Sequence, residues 1–292
     1  MMNLIRAEWI KASGNRWVAG CLIWIFPAAA IGFIVVMVPM VALFSPARES
    51  FSGTYRWTEQ AIGAWASMNN PFGRLLLLGF TAVMFAGEYQ WNTWKNTVPR
   101  NRRLTLIVFK YFTLGAMVVC AFVVTSGLIA LGVGLVVTIA GGTYGPGLTR
   151  EVLADFAGDY ALEAALMFTS TLIAAGYAAL AAIFTRSILG SIVTAFAAAF
   201  LENLSVAGLM LAAFFLKIPS ILQLYRVTPG YNLLNVNAWV TADHSLQLSL
   251  RYNDVDRVVL ADGLLFSVVV LASWVVGLVA LSAYLFQKQD IV

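Results

Sequence analysis

Residues 104–140 read LTLIVFKYFTLGAMVVCAFVVTSGLIALGVGLVVTIA, a run near 37 residues whose one charged side chain is Lys110. A helix needs roughly 20 apolar residues to cross about 30 Å of hydrocarbon. This stretch is longer than one crossing, so it is expected to extend into water at one end or to break at its glycines. Comparable runs lie on either side, at about 17–44, 70–88, 160–185, 188–216 and 259–286. Arg74 interrupts the second, yet Leu75 to Ala86 is continuously apolar. The first run exceeds the roughly 7–15-residue core of a cleaved signal peptide and counts as a span. The expected fold is an all-α integral membrane protein with six transmembrane helices, forming one transmembrane domain over residues 1–292.

Composition agrees. Of 292 residues, 61% are hydrophobic and 11% charged, with a mean hydropathy of +0.83. Soluble domains carry about 45–50% apolar and about 25% charged residues. An ordinary water-soluble enzyme is excluded, and a disordered chain more firmly still. The net charge of +4, from 18 basic and 14 acidic residues, points in so apolar a chain to a membrane surface and not to nucleic acid. Cys21 and Cys120 sit inside apolar runs and are expected as small core residues. With His244 the only histidine, no His/Cys cluster can build a zinc site.

Lys and Arg in short loops set orientation. With the N-terminus inside, the cytoplasmic set is Arg6, Lys11, Arg16, Lys95, Arg100, Arg102, Arg103, Lys110, Arg186 and Lys288. The remaining eight basic residues are spread over about twice the length, and Glu151, Asp155, Asp159, Asp243, Asp254, Asp256 and Asp262 all fall outside. Both termini are expected to be cytoplasmic. The longest outer loop, 217–258, carries Tyr225, Tyr231, Trp239 and Tyr252 and is broken by Pro219, Pro229 and Gly230. It reads either as an interfacial cap with aromatics at headgroup depth or as a gate over an exit path.

Two segments on the cytoplasmic side carry more information. Residues 2–14, MNLIRAEWIKASG, place Met2, Ile5, Trp9 and Ala12 on one helical face, as a helix lying in the interface plane would. The connection after the second span, Gly87 to Lys110, reads GEYQWNTWKNTVPRNRRLTLIVFK. Glu88 stands at the membrane boundary, and Tyr89, Trp91, Thr93, Trp94 and Lys95 form a polar, helix-like run. Pro99 ends that run, and Arg100, Arg102 and Arg103 follow. The positive-inside bias explains the cations, and interface anchoring would explain the tryptophans. A carboxylate at the boundary beside an amphipathic turn fits better a short helix docking into a groove on a cytoplasmic partner.

This loop resembles the first intracellular loop of the permease subunits of type-2 ABC (ATP-binding-cassette) exporters. There a Gly-Glu, a Thr-x-Lys, a Pro and Arg, and a Lys in the next span recur. The matching positions here are Gly87, Glu88, Thr93, Lys95, Pro99, Arg102 or Arg103, and Lys110. The RAEWIK segment resembles that family's connecting helix, and the topology agrees over nearly the whole chain. Trp91-Asn92 departs from the family, whose members more often have a small or basic residue there. The resemblance implies a permease without its own ATP site, with residues 88–100 as the coupling helix. Two copies of a separate ATPase subunit would dock there, carrying the ATP and Mg, and a second permease copy or a paralogue would complete the complex. It further implies a bacterial cytoplasmic (inner) membrane and export of an apolar or amphipathic substrate such as a drug, peptide antibiotic or lipid. The sequence is compatible, since none of its five lysines follows a glycine and no phosphate-cradling G-x-x-x-x-G-K-[ST] loop exists.

The fifth run places Gly190, Thr194, Ala198 and Glu202 along one helical face, with Ser191, Ala195, Ala199 and Asn203 in the neighbouring row. Small residues let helices pack closely in lipid, so these rows read as packing, as a dimer seam or as the lining of a path. A carboxylate near mid-bilayer costs several kcal/mol unless it faces water or a partner. Glu202 is therefore expected to face a cavity or to pair with a cation, with Arg74 the candidate by depth. An ion-coupled secondary transporter using Glu202 is the competing reading. A membrane-embedded enzyme finds no support, because no H-E-x-x-H, G-x-S-x-G or intramembrane aspartate pair is present.

Overall fold

The structure, a computed structural model, describes residues 2–14, 20–97, 102–251 and 257–289. It is a membrane-embedded, multi-pass helical protein. Its helices are α1 (Met2–Gly14), α2 (Ile25–Leu43), α3 (Ser45–Phe51), α4 (Trp57–Gly63), α5 (Pro71–Gln90) and α6 (Trp94–Thr97). They continue with α7 (Arg103–Ala140), α8 (Arg150–Thr185), α9 (Ile188–Asn203), α10 (Ser205–Leu216), α11 (Pro229–Ala242) and α12 (Leu264–Gln287). Among the described residues, α2, α5, α7, α8 and α12 are each long and apolar enough to cross a membrane. The pair α9 and α10 meets that test only jointly, and it is bent by 60°. The expected single helix over 188–216 is therefore broken. Its break falls after the polar pair Glu202-Asn203, where the Asn203 side chain bonds back to the Ala199 carbonyl at 3.1 Å, a local competition that bends helices.

Contacts divide the chain into two compact units. One comprises Met1–Phe80 and Phe109–Phe168. Most of α7 lies in it; the helix runs unbroken for 38 residues, about 57 Å at 1.5 Å per residue, so it extends past the hydrocarbon instead of breaking. Three of its glycines are contact points: a Cβ at Gly132, for example, would collide with the Ile34 side chain. Strand β1 (Thr54–Arg56) pairs in parallel with β2 (Thr143–Gly145). Asn70 caps the start of α5 through Gly73 N–H at 2.6 Å, with Pro71 in the first turn, where its missing N–H costs nothing. Helix α8 begins ten residues before the expected 160. Thr149 Oγ1 accepts the Val152 N–H at 3.2 Å, Glu151 complements the helix dipole, and Phe156 packs on Trp57 and Tyr160.

Helix α1 matches the expected range but turns a different side inward. Glu8 and Lys110 are each 2% exposed and pair at 3.0 Å, and Lys11 reaches the second Glu8 oxygen at 3.2 Å. Trp9 and Ile10 stay exposed. An ion pair, and not only an apolar stripe, holds this helix. Cys21 and Cys120 are exposed, not core residues as expected, because each lies on the outer side of its apolar run.

The other unit comprises Thr81–Val108 and Thr169–Val292. Its most ordered surprise is the loop 217–258, which folds. A 3₁₀ helix, Pro219–Val227, leads into α11, and strands β3 (Leu248–Arg251) and β4 (Arg257–Leu260) pair antiparallel. Strand β4 occupies the first residues of the expected last span, so α12 starts at Leu264. Leu222, Tyr225, Tyr231, Leu250 and Leu260 form a small buried core. Tyr225 and Tyr231 are thus core residues, not aromatics resting at headgroup depth; Tyr252 lies outside the described residues.

Candidate functional site

The loop from Gly87 to Arg103 takes its shape from its own ends. Helix α5 carries Glu88 and Tyr89 in its last turn, so the expected continuous helix over 88–100 begins as the tail of a span. Asn92 then adopts a left-handed conformation (φ 54°), and one helical turn, α6, follows. Glu88 is buried and accepts a hydrogen bond from the Thr93 hydroxyl, while the Thr93 N–H donates to the Glu88 carbonyl at 3.0 Å. The carboxylate at the boundary therefore staples the turn. Gly87 is required beside it, because a Cβ there would meet the Trp91 ring at 2.8 Å.

The same loop grips the last helix. Trp94, 2% exposed, packs tilted against Phe286 at 4.5 Å and meets Tyr89 edge-on at 5.8 Å. The final carbonyls of a helix have no intrahelical donor. Arg103 satisfies those of α12, its Nη1 donating to Phe286, Gln287 and Gln289 at 3.1, 2.8 and 2.6 Å, and its cation complements the helix C-terminus. The Gln289 amide accepts from Tyr89 Oη at 2.6 Å and donates to the Ile183 carbonyl at the end of α8 at 2.7 Å. Arg186, beyond that helix end, lies 5.9 Å from the Tyr89 ring. Glu88, Tyr89, Thr93, Trp94 and Arg103 thus build a clasp. Trp91 (55% exposed), Lys95 and Arg102 face outward. Pro99 and Arg100 lie outside the described residues.

In α9 the two rows separate. Ser191, Ala195 and Ala199 are buried, and Ser191 Oγ donates to the Ala178 carbonyl at 2.7 Å. Thr194 and Asn203 are exposed, and Ala198 and Glu202 half-buried. The Glu202 carboxylate accepts from the Tyr177 hydroxyl at 2.9 Å. Tyr177 meets Trp274 edge-on at 6.3 Å, and Trp274 donates to the Val227 carbonyl at 2.8 Å. Burial, and next the Glu202 charge, pushes the Tyr225 phenol above its ordinary range. Arg74, half-buried in the first turn of α5, belongs to the other unit.

Sequence reasoning did not identify the hub that ties the folded loop to α12. Asp262, 4% exposed, takes a bidentate pair from Arg226 and a hydrogen bond from Tyr231 at 2.9 Å. Its carbonyl accepts from Asn235 and Trp239, each at 2.9 Å, and Asn235 also donates to Ser267. Burial alone would raise the Asp262 carboxyl; the hydrogen bonds from Arg226 and Tyr231 outweigh it and hold the group below its ordinary value. Burial, reinforced by the bond to Asp262, pushes the Tyr231 phenol up to about 12. Glu8 was also missed. Lys110, deep in an apolar run, demands an acidic partner, and only Glu8 and Glu88 precede it on its expected side.

Comparison with protein-family models, curated proteins and solved structures found no match for this chain.

Proposed function

We propose that this chain is the transmembrane permease subunit of an ABC exporter in a bacterial cytoplasmic membrane, with six spans and both termini cytoplasmic. A separate ATPase, in two copies, docks on the 88–103 loop, and a second permease copy or a paralogue completes the complex. The carried molecule is apolar or amphipathic. The observation that carries this reading is mechanical. Trp91, Lys95 and Arg102 face outward from a loop that joins the ends of α5 and α7 and whose buried side is bonded to the end of α12 and, through Gln289, to the end of α8. A push on the exposed side passes through Trp94 on Phe286 and Glu88 on Thr93 without being absorbed by a loose loop. Closing two such loops together would tilt the helices they hold, as inward-to-outward rocking requires.

The test is co-purification in mild detergent with an ATP-hydrolysing companion. Trp91→Ala with Lys95→Ala removes two exposed side chains, one of them an interface-favoured aromatic, and should lower retention of that companion about tenfold at unchanged melting temperature. Glu88→Ala, assembled, should hydrolyse ATP without moving substrate. An unmodified chain that retains no ATPase, or a Glu88→Ala complex with full transport, refutes the reading.

An ion-coupled transporter is favoured by one observation: Glu202 stands where α9 and α10 break, and interrupted helices build many coupling sites. Transport by the isolated chain in proteoliposomes without ATP, abolished by an ionophore, would establish that alternative.

A further inference from the structure

Helix α1 carries three charged side chains, Arg6, Glu8 and Lys11, and the fold treats them unequally. Glu8, the one acid, is 2% exposed and taken up by Lys110 and Lys11. Arg6 is exposed and, among the described residues, pairs with no carboxylate. Lys11 stays 40% exposed while it reaches Glu8. The outward side of α1 is therefore cationic, because the group that would neutralise it is turned inward.

That side also has an apolar component. Arg6, Trp9, Ile10 and Ser13 are spaced i, i+3, i+4 and i+7 and share one helical face, while Glu8 projects from the opposite one. All four are exposed, Trp9 by 36% and Ile10 by 55%. The Ser13 hydroxyl donates to the Trp9 carbonyl at 2.7 Å, so its hydrogen is satisfied within the helix. The buried Glu8–Lys110 pair fixes the rotation of α1 about its axis, so this face cannot turn inward without breaking a 3.0 Å contact. A guanidinium between an indole and an isoleucine matches the layering of a bilayer surface. The indole favours headgroup depth, the aliphatic side chain favours the acyl boundary, and the guanidinium bonds phosphate oxygens in pairs. A zwitterionic headgroup neutralises its own phosphate, whereas an anionic one leaves that charge for Arg6 and Lys11.

We infer that the Arg6, Trp9, Ile10 and Ser13 face of α1 docks on anionic phospholipid, with Arg6 and Lys11 at the headgroup phosphates and Trp9 and Ile10 reaching toward the acyl boundary. The inference goes beyond the exporter reading and stands without it, since the surface belongs to this chain alone.

The test places an environment-sensitive NBD fluorophore on this face, at Ser13→Cys, in the full chain with Cys21→Ala and Cys120→Ala, both native thiols being free and exposed. Nanodiscs of phosphatidylcholine, alone or with increasing phosphatidylglycerol, carry a nitroxide-bearing lipid that quenches only a bilayer-seated label. Quenching is expected to rise with the anionic fraction and to fall back in about 1 M salt, where charges are screened beyond about 3 Å. One cation near such a surface is worth about fivefold in attachment, so Arg6→Gln should lower the seated-to-free ratio about fivefold at unchanged melting temperature. Arg6→Lys, which keeps the charge, should retain most of the rise. Quenching that is equal in neutral and anionic nanodiscs would mean apolar anchoring alone, or a face turned to water or to another protein, and overturns the inference. So does an Arg6→Gln chain that responds like the parent, or an Arg6→Lys chain that fails as Arg6→Gln does.

Discussion

Replacing Lys110 with methionine removes one half of the buried pair that holds α1. At 3.0 Å and an effective dielectric near 20, two unit charges attract by about 5.5 kcal/mol. Desolvating both ions consumes much of that gain, so the intact pair adds little net stability. Removing one partner is different, because the other stays buried without compensation, at a cost of about 3–5 kcal/mol. Glu8 would retain Lys11 at 3.2 Å, which places the loss at the lower end, about 3 kcal/mol. For a chain of this size that lowers the melting temperature by about 6 °C. The double variant Glu8→Leu, Lys110→Met removes both charges and should recover most of the loss, since an apolar pair of similar volume is close to neutral. Thermal melts followed by tryptophan fluorescence, with trypsin cleavage at Lys11 reporting release of α1, measure both steps. A Lys110→Met chain as stable as the parent, or a double variant no better than the single one, refutes the account.

The folded loop should be indifferent to pH over a wide range. The Asp262 carboxyl is depressed below its ordinary 3.8, so its contribution is complete above that value and is lost only as pH falls through the lower folded one. Tyr231 is raised from 10.0 to about 12, so its contribution is complete below pH 10 and disappears as pH rises through about 12. Tyrosinate absorbance of the parent minus that of Tyr231→Phe should therefore show a late phenol whose ionisation coincides with loss of loop structure, and a Tyr231 that ionises normally near 10 contradicts the geometry. In α9, Ala195→Leu should destabilise by about 1–3 kcal/mol through overpacking. Thr194→Leu, on the exposed row, should leave the melting temperature of the isolated chain unchanged; equal effects would mean the two rows are not distinguished as the structure has them.

Apolar runs announced α2, α5, α7, α8 and α12 because a span is decided by composition over about 20 residues. The same averaging hid the break after Glu202, since two polar residues barely lower the apolarity of residues 188–216. It also hid the water-side extension of α8, where charges end the apolar window although the helix continues. Strand β4 was read as the start of α12 for the complementary reason: Val258, Val259 and Leu260 look like span residues when nothing in the sequence reports that Leu248–Arg251 pairs with them. In the 88–103 loop the residues were legible but their roles were not. Trp91 and Trp94 look alike in sequence, yet one is exposed and the other packs on Phe286, a contact across nearly two hundred residues.

The ionised groups divide by what the fold requires of them. Glu8, Lys110, Glu88 and Asp262 are buried, and each bonds a helix or a turn in place: α1 to α7, Glu88 to Thr93, the folded loop to the start of α12. For the Glu8–Lys110 ion pair that role is structural, and apolar replacements of matched volume could in principle take it over. Glu202 differs on each count. It is half-buried, it lies where a helix is interrupted, and one of its bonds is from a tyrosine whose ring meets Trp274 edge-on. A leucine at 202 would remove an acid from an apolar run and suit an unbroken helix better. Glu202→Gln keeps an oxygen for the Tyr177 hydroxyl; a lower melting temperature would class this carboxylate with the buried groups, and an unchanged one would set it apart.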